Sequence, residues 1–328
     1  MHDLSIVVPV YNEEESVPHL CEAIVAAVKP LGKSYEIVLV DDGSSDSSWS
    51  VMCAEAKKHA HLKLIRFRRN FGQTPAMAAG INESDGNIVI TLDADLQNDP
   101  KDIPALLAKL DEGYDVVSGW RKNRQDAFIN RKLPSMIANR IIGKMTGVSL
   151  HDYGCSLKAY RREIISQVHL YGEMHRFIPA LCRWVGGSIA ELPVSHHARK
   201  FGKSKYGISR TFRVVLDLLT VKFLMSYSTR PIQVFGKIGL YCGAIAALLL
   251  GIVGLEAVCS IFGSSAWFGE GLLVKRPFWV VTPLMFLGFS LQFIVLGLMA
   301  ELTTRTYHES QNKQIYSIKE TVCSDNAG

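Results

Sequence analysis

The chain opens on "LSIVVPVY" (4–11), a continuous apolar run rich in β-branched residues, followed by "EESVPHLCEAIVAAVKPL" (14–31). The second segment has apolar residues at helical spacing and Pro18 in its first turn, so strand then helix is predicted. The alternation continues. "YEIVLVDDGSSDSS" (35–48) reads as a strand breaking into a turn, and "DSSWSVMCAEAKKHA" (46–60) as a helix with Asp46 at its N-cap. "LKLIRF" (62–67) is a third strand, "TPAMAAGINES" (74–84) a third helix and "GNIVITLDAD" (86–95) a fourth strand. "PKDIPALLAKLDEG" and "YDVVSGW" extend the pattern to Trp120. Near-continuous apolar strands separated by helices predict an α/β domain with a mostly parallel sheet covered on both faces. In such sheets ligands bind beyond the carboxyl ends of the strands.

The pattern changes toward the C-terminus. No charged residue occurs in Ile238–Leu255 or in Pro277–Ala300. Either run can cross a hydrocarbon core of about 30 Å at about 1.5 Å per residue, and two in succession favour membrane spans over buried core helices. Ahead of them, "SRTFRVVLDLLTVKFLMS" (209–226) has helical spacing interspersed with Arg210, Arg213 and Lys222. It suits a helix lying on the membrane surface or one packed on the preceding domain. The expected division is therefore an α/β domain over 1–208, an amphipathic segment over 209–233, a two-span hairpin over 234–302 and a tail over 303–328. The tail's end, "IKETVCSDNAG", is expected to be disordered.

Charge changes this picture by giving it an orientation. The net formal charge is +5, and Arg210, Arg213, Lys222, Arg230 and Lys237 precede the first run, with Arg305 and Lys313 after the second. Lys275 and Arg276 are the only basic residues of the connecting loop, so the domain and the tail are expected on the cytoplasmic side. The N-terminus lacks the pattern of a signal peptide. The 7 cysteines are scattered without a C-x-x-C pair, which suits a reducing compartment. Glu256 interrupts the first apolar stretch; a helix or homo-oligomer contact and a position near the periplasmic end both accommodate it.

The chemistry gathers at strand ends. "TLDADLQNDP" places Asp93, Asp95 and Asp99 where the fourth strand stops. Asp at a strand end is commonly turn chemistry, whereas two carboxylates two residues apart can also converge on a hard divalent cation. D-x-D alone does not decide between these. Other classes are excluded more firmly. "GKS" within 196–207 lacks the first glycine of a P-loop, His197 standing there. No G-x-G-x-x-G follows the first strand. Arg66, Arg68 and Arg69 form a small cluster without an aromatic platform, so no nucleic-acid partner is expected.

In order and spacing, "IVVPVYNEEE", "VLVDDGSSDSS", "RNFGQTPAMAAG" and "TLDADLQ" resemble family 2 glycosyltransferases, whose nucleotide-sugar-binding domain has the GT-A fold. With "SGWRKNR", "NRKLPS" and the two apolar runs, the resemblance narrows to polyisoprenyl-phosphate glycosyltransferases, such as dolichol-phosphate mannose synthases and bactoprenol glucosyltransferases. It implies that Pro9, Tyr11 and Glu13 line the base and ribose pocket, and that Asp41 or Asp42 accepts hydrogen bonds from the nucleoside. Asn70 and Gly72 would let backbone pass close to the nucleotide, with Ala94 beside it. Asp93, Asp95 and Gln97 would hold Mg²⁺ or Mn²⁺, Asp95 most directly.

On the acceptor side the resemblance implies that Arg121, Arg131 and Ser135 bind a lipid phosphate, for which the planar arginine fork is suited. The run "HHARKFGKSKYG" would supply a mobile basic loop acting through Arg199 or Lys205; a lipid contact, a topogenic signal and a solvated loop also fit it. Asp152 stands where relatives carry a general base, and it could instead orient Arg131 or the sugar. "ALCRW" places Ala180 where processive relatives have glutamine, so one sugar is expected to be transferred. The expected enzyme is a membrane-bound inverting hexosyltransferase of the bacterial inner membrane, moving glucose from UDP-glucose to polyprenyl phosphate. GDP-mannose, a UDP-aminoarabinose derivative, another acceptor and a non-catalytic nucleotide-sugar-binding scaffold are the alternatives.

Overall fold

The run Leu4–Val10 lacks alternation because it is enclosed on both faces: every residue but Pro9 is buried, and Tyr35–Asp41 is buried throughout. In the computed structural model, which describes residues 2–122, 133–170, 172, 174–198, 232–261, 278–310 and 316–323, these runs are β1 and β2 of one sheet. In chain order the elements are β1 (Leu4–Val10), α1 (Val17–Val28), β2 (Tyr35–Asp41), α2 (Ser48–Ala56), β3 (Leu62–Phe67), α3 (Gln73–Glu83), β4 (Ile88–Thr91), α4 (Ile103–Asp111) and β5 (Val116–Trp120). Then come α5 (Leu133–Thr146), β6 (Lys158–Arg161), α6 (Arg162–Ile165), α7 (Ile178–Trp184), β7 (Ile189–Pro193), α8 (Ile232–Ile261), α9 (Phe278–Ser310) and β8 (Ile318–Cys323).

The eight strands lie in the order β7-β5-β6-β4-β1-β2-β3-β8. The segment β4-β1-β2-β3 is parallel throughout, and β5 runs parallel to β7. Two strands run the other way, β6 between β4 and β5, and β8 against β3. On one face Val8, Leu39, Ile90, Val117 and Ala159 form a core with Leu20 and Ile24 of α1, Met52 of α2 and Leu106 and Leu110 of α4. On the other, Gly80 of α3 sits so close to Val7 and Val40 that a side chain there would collide with them.

Two expectations are corrected. The second helix is capped at Ser47, with Asp46 just outside it accepting the Ser48 amide at 3.0 Å. Part of the tail is a strand: Ile318–Cys323 pairs with Lys63–Phe67 and forms one border of the sheet.

The chain divides into two compact units, Met1–Lys222 with Gln314–Gly328, and Phe223–Lys313. The second contains α8 and α9. Phe235–Leu255 and Phe278–Ala300 are long and apolar enough to cross a membrane, yet only 11% and 17% of their most apolar windows are buried. Core helices of a soluble protein are mostly enclosed, whereas here Leu240, Tyr241, Leu248, Phe278 and Leu291 are exposed. Such faces suit lipid. The helices meet through small residues, with Gly239 and Gly243 of α8 against Ser290 of α9, the packing expected where hydrocarbon surrounds both. Glu256 falls near the end of α8.

Candidate active site

Parallel register brings the quoted motifs to one edge. Val10 lies beside Asp41, Asp41 beside Arg66, and Val7 beside Thr91. The segments after β1, β2, β3 and β4 therefore emerge together at the carboxyl ends of the strands. Because β6 is antiparallel, with Lys158 beside both Thr91 and Ser118, the residues preceding it reach the same edge. That is how Asp152 and Ser156 come near the ends of β4 and β5.

The first three loops are tied to one another. Asn12, in a left-handed conformation (φ 52°), accepts the Ser45 amide at 2.8 Å and donates its own to Ser44 Oγ at 3.0 Å. Glu13 donates its amide to Ser48 Oγ and accepts the Ser16 hydroxyl. Asp41 is fully buried; Oδ1 accepts the Ser44 amide, and Oδ2 faces Arg66 at 3.5 Å without a hydrogen bond. Asp42 accepts the amides of Phe71 at 2.7 Å and Gly72 at 2.9 Å. Burial pushes its carboxyl up to about 6, against the pull of those two amides. The acids expected to receive a nucleoside thus also hold the loops that would frame it. Gly43 makes this possible. Its φ is +66°, and a Cβ there would lie 2.6 Å from the Asn70 nitrogen and 2.8 Å from Arg69 Cα. Gly72, at φ 102°, caps α3.

At the end of β4, Asp93 and Asp95 are half-buried and Ala94 points inward. Gln73 donates its side-chain amide to Asp93 Oδ1 at 2.7 Å. The Asp93 amide is held by Ser156 Oγ, which also takes Asn98 Nδ2. Leu96 has φ 57°, a conformation that non-glycine residues adopt at a cost of about 1–3 kcal/mol and that is concentrated at functional turns. The turn folds the chain back so that the Gln97 amide meets Asp95 Oδ1 at 3.1 Å. Asp93, Asp95 and the Gln97 side chain offer hard oxygen donors, the ligand type that Mg²⁺ or Mn²⁺ takes. His2, Glu36 and Asp85 bring ligand atoms within 4.8 Å of one another, at the opposite edge of the sheet.

Beyond β5, Arg121 and Asp152 form a two-pronged ion pair, Nε to Oδ2 at 2.6 Å and Nη2 to Oδ1 at 2.9 Å. Their side chains are only 11% and 6% exposed. Burial works against the arginine charge, and the hydrogen bonds and charge of Asp152 outweigh it, holding the guanidinium above its ordinary range. His151 stacks on Trp120 at 4.3 Å and bonds Glu191. Past β7 the chain returns to the acids: His196 bridges to Asn98, His197 donates its amide to Gln97 O at 2.8 Å, and its ring contacts Asp99 at 3.1 Å. The basic run therefore begins beside the D-x-D turn.

Of the expected site residues, Pro9 and Tyr11 stand at the end of β1, Tyr11 exposed, and exposed Asn70 leads into Gly72. Arg131, Arg199 and Lys205 lie outside the described residues, as does 209–231 of the amphipathic segment. Ser135 lies in α5. The motif reading assigned nothing to Gln73, Ser156 or Asn12. Gln73 belongs to the quoted "RNFGQ", and Asn12 to "VYNEEE"; Ser156 carries no local signal, because its partner amide is 63 residues away.

A family model described as glycosyl transferase family 2 matches residues 5–168. The chain is 46% identical over 329 residues to a dodecaprenyl-phosphate galacturonate synthase of Rhizobium johnstonii, covering 97% of this chain and 92% of that protein. It is 40% identical over 323 residues to an undecaprenyl-phosphate 4-deoxy-4-formamido-L-arabinose transferase of Enterobacter sp. (strain 638), covering 98% and 94%. Among solved structures, glucosyl-3-phosphoglycerate synthase of Mycobacterium tuberculosis with Mn²⁺ and UDP-glucose matches with TM-score 0.51 and 17% identity, over 67% of this chain and 79% of that one. Mannosyl-3-phosphoglycerate synthase of Rubrobacter xylanophilus matches with TM-score 0.55 and 16% identity, over 68% and 74%. These two carry the GT-A fold. With the fold, the loop motifs and relatives spanning nearly the whole chain in agreement, the chain is a glycosyltransferase of family 2, within the branch of polyprenyl-phosphate glycosyltransferases.

Proposed function

We propose that this enzyme transfers one sugar from a nucleotide donor to polyprenyl phosphate, at the cytoplasmic face of a bacterial inner membrane. The observation that carries the reading is the shared sheet edge: the acids after β4 and the Arg121–Asp152 pair after β5 emerge at the same edge of the sheet, in a chain similar over 97% of its length to a polyprenyl-phosphate transferase. For the donor, the relatives favour a galacturonosyl or 4-deoxy-4-formamido-L-arabinosyl group over glucose.

A phosphate oxygen of the lipid attacks the anomeric carbon. The bond from that carbon to the diphosphate breaks, and the diphosphate leaves with the electron pair, inverting the configuration. A phosphate monoester with a second pKa of about 6 is already largely dianionic near neutrality, so the attack needs no base. Asp152 instead fixes the Arg121 fork toward the phosphate, and Arg131, Ser135 and Arg199 or Lys205 would bind the same phosphate. Pro9, Tyr11 and Glu13 receive the nucleoside, and Asp42 and Gly43 keep the Asn70–Gly72 backbone against it. Gln73 orients Asp93. A divalent cation on Asp93, Asp95 and Gln97 would neutralise charge on the leaving diphosphate.

Orientation draws support from β8. It pairs with β3 in one sheet, so the chain leaves this unit before α8 and rejoins it after α9. A chain that leaves one unit and rejoins it crosses any bilayer an even number of times, which fits a hairpin with both flanks on the positively charged, cytoplasmic side.

The test is transfer of label from UDP- and GDP-linked sugars, including galacturonate, 4-deoxy-4-formamido-L-arabinose and glucose, to polyprenyl phosphate in detergent with Mg²⁺ or EDTA. Label entering the lipid from one donor and lost with EDTA is the expected result. Nucleotide binding without transfer from any donor would overturn the lipid-phosphate acceptor.

A further inference from the structure

The chain that follows the apolar helices does not merely cover an edge of the sheet. Tyr316, 7% exposed, lays its ring on Phe67 with centroids 5.4 Å apart and planes at 13°. Phe67 meets Phe71 edge-on at 5.6 Å, and Arg69 lies over the other partner of that pair, its guanidinium carbon 4.0 Å from the Phe71 centroid. Phe71 is the residue whose amide Asp42 holds. Three further contacts fix the tail at this point. Asn82 of α3 donates to the Tyr316 hydroxyl at 3.3 Å, Arg68 donates its amide to Ser317 O at 3.2 Å, and Glu320 lies beside Arg66 in the register. Arg66 in turn faces Asp41. The ladder shifts between Arg66 and Phe67, where the chain turns from β3 into "RRNFGQ".

We infer that Tyr316 is a positioning residue for the nucleotide-binding loop, acting through Phe67 and Phe71, so that donor affinity depends on the chain returning from the helical pair to the sheet. Without the Tyr316 ring, Phe67 loses its stacking partner at the base of the loop. Phe71 then rests on a less fixed Phe67 ring. Tyr316 itself touches no substrate. Its effect is on where the Asn70–Gly72 backbone stands, which is a donor-affinity effect and not one on bond breaking. The inference rests on the reading of "RNFGQ" as nucleotide-binding.

The experiment compares full-length wild type with Tyr316→Ala, Tyr316→Leu and Tyr316→Phe in detergent, titrating UDP and GDP with Mn²⁺ by calorimetry and measuring donor KM, acceptor KM and kcat. Tyr316→Ala and Tyr316→Leu should weaken nucleotide binding and raise donor KM roughly threefold to tenfold, the equivalent of one lost aromatic pair. Their kcat and acceptor KM should stay within about twofold of wild type. Tyr316→Phe keeps the ring and loses only the Asn82 contact, so it should bind within about twofold of wild type. If Tyr316→Ala does not fold, Tyr316→Leu decides, because it keeps apolar volume without a ring. Wild-type binding of a nucleotide that Tyr316→Leu binds equally well would overturn the positioning role alone. Wild type binding neither nucleotide would overturn the nucleotide-loop reading and this inference with it.

Discussion

Gly43→Ala tests the geometry of the donor side at one atom. The added methyl would stand 2.6 Å from the Asn70 nitrogen and 2.8 Å from Arg69 Cα, where ordinary contacts begin near 3.4 Å. Both neighbours are backbone, so no side chain can rotate away, and the two loops must separate by close to ~1 Å. The residue also sits at φ +66°, which costs a non-glycine residue roughly 1–2 kcal/mol. Gly32 separates the two effects. It has nearly the same φ, +62°, with nothing within 4 Å of its Cβ position, so Gly32→Ala bears the conformational cost alone. A misplacement of about 1 Å at a substrate-positioning group can cost about 100-fold in rate. Gly43→Ala should therefore lose tenfold or more in kcat/KM for the donor (~1.4 kcal/mol or more), while Gly32→Ala loses less than about twofold. Initial rates over a range of donor concentration, with thermal unfolding of each variant in detergent, give the comparison. Equal activity of the two variants at equal folded fraction would refute the claim that close packing of these loops sets the donor site.

Asp152→Asn should destabilise the domain by about 3–5 kcal/mol, because it strands a buried arginine. Denaturation of the purified variant checks this, and a fully stable but inactive Asp152→Asn would point to a base instead. Because the folded Asp42 carboxyl lies near 6, above the ordinary 3.8, its own contribution to stability grows as pH falls from about 6 toward 4. The same protonation weakens Asp42 as the acceptor for the Phe71 and Gly72 amides, so nucleotide affinity should fall below pH 6 while circular dichroism still reports a folded domain; affinity unchanged between pH 7 and 5 would count against the clamp. Gln73→Leu removes the donor that orients Asp93, and should raise the Mn²⁺ concentration for half-maximal turnover about 10-fold to 100-fold; an unshifted metal titration would show that the bond is incidental. Gly239→Ile would drive a side chain to within 2.9 Å of Ser290 O and Ile294 Cγ1, whereas Gly251 has open space around it. The first variant should lower the unfolding temperature in detergent and Gly251→Ile should not, an order whose reversal would reject this helix contact.

Much of this protein is local and was legible for that reason. An enclosed parallel strand has to be apolar at consecutive positions, so β1 to β4 announce themselves, and the acids at the ends of β2 and β4 mark where those strands stop. The long uncharged stretches need no partner to be recognised. Motif order then brings the family within reach. Boundaries were less secure: Asp46 looks like an N-cap, yet Ser47 takes that position while Asp46 accepts the Ser48 amide from just outside the helix.

What tertiary structure alone decided is which distant residues meet. Arg121 and Asp152 were both named from sequence, but not as each other's partners; they are brought together by antiparallel β6, whose direction its four residues do not specify. Ser156 has no recognisable pattern until its hydroxyl is found against the Asp93 amide. The tail shows the same limit most plainly. "IKETVC" is polar and only partly buried even when paired, so nothing in its composition distinguishes an edge strand from a disordered end. It becomes a strand because β3 presents unpaired backbone groups that need hydrogen bonds, and because Phe67 offers a surface for the Tyr316 ring. Local patterning can state that a segment is apolar, charged or turn-forming, but pairing across long separations is chosen by the packing and hydrogen bonding of the closed fold.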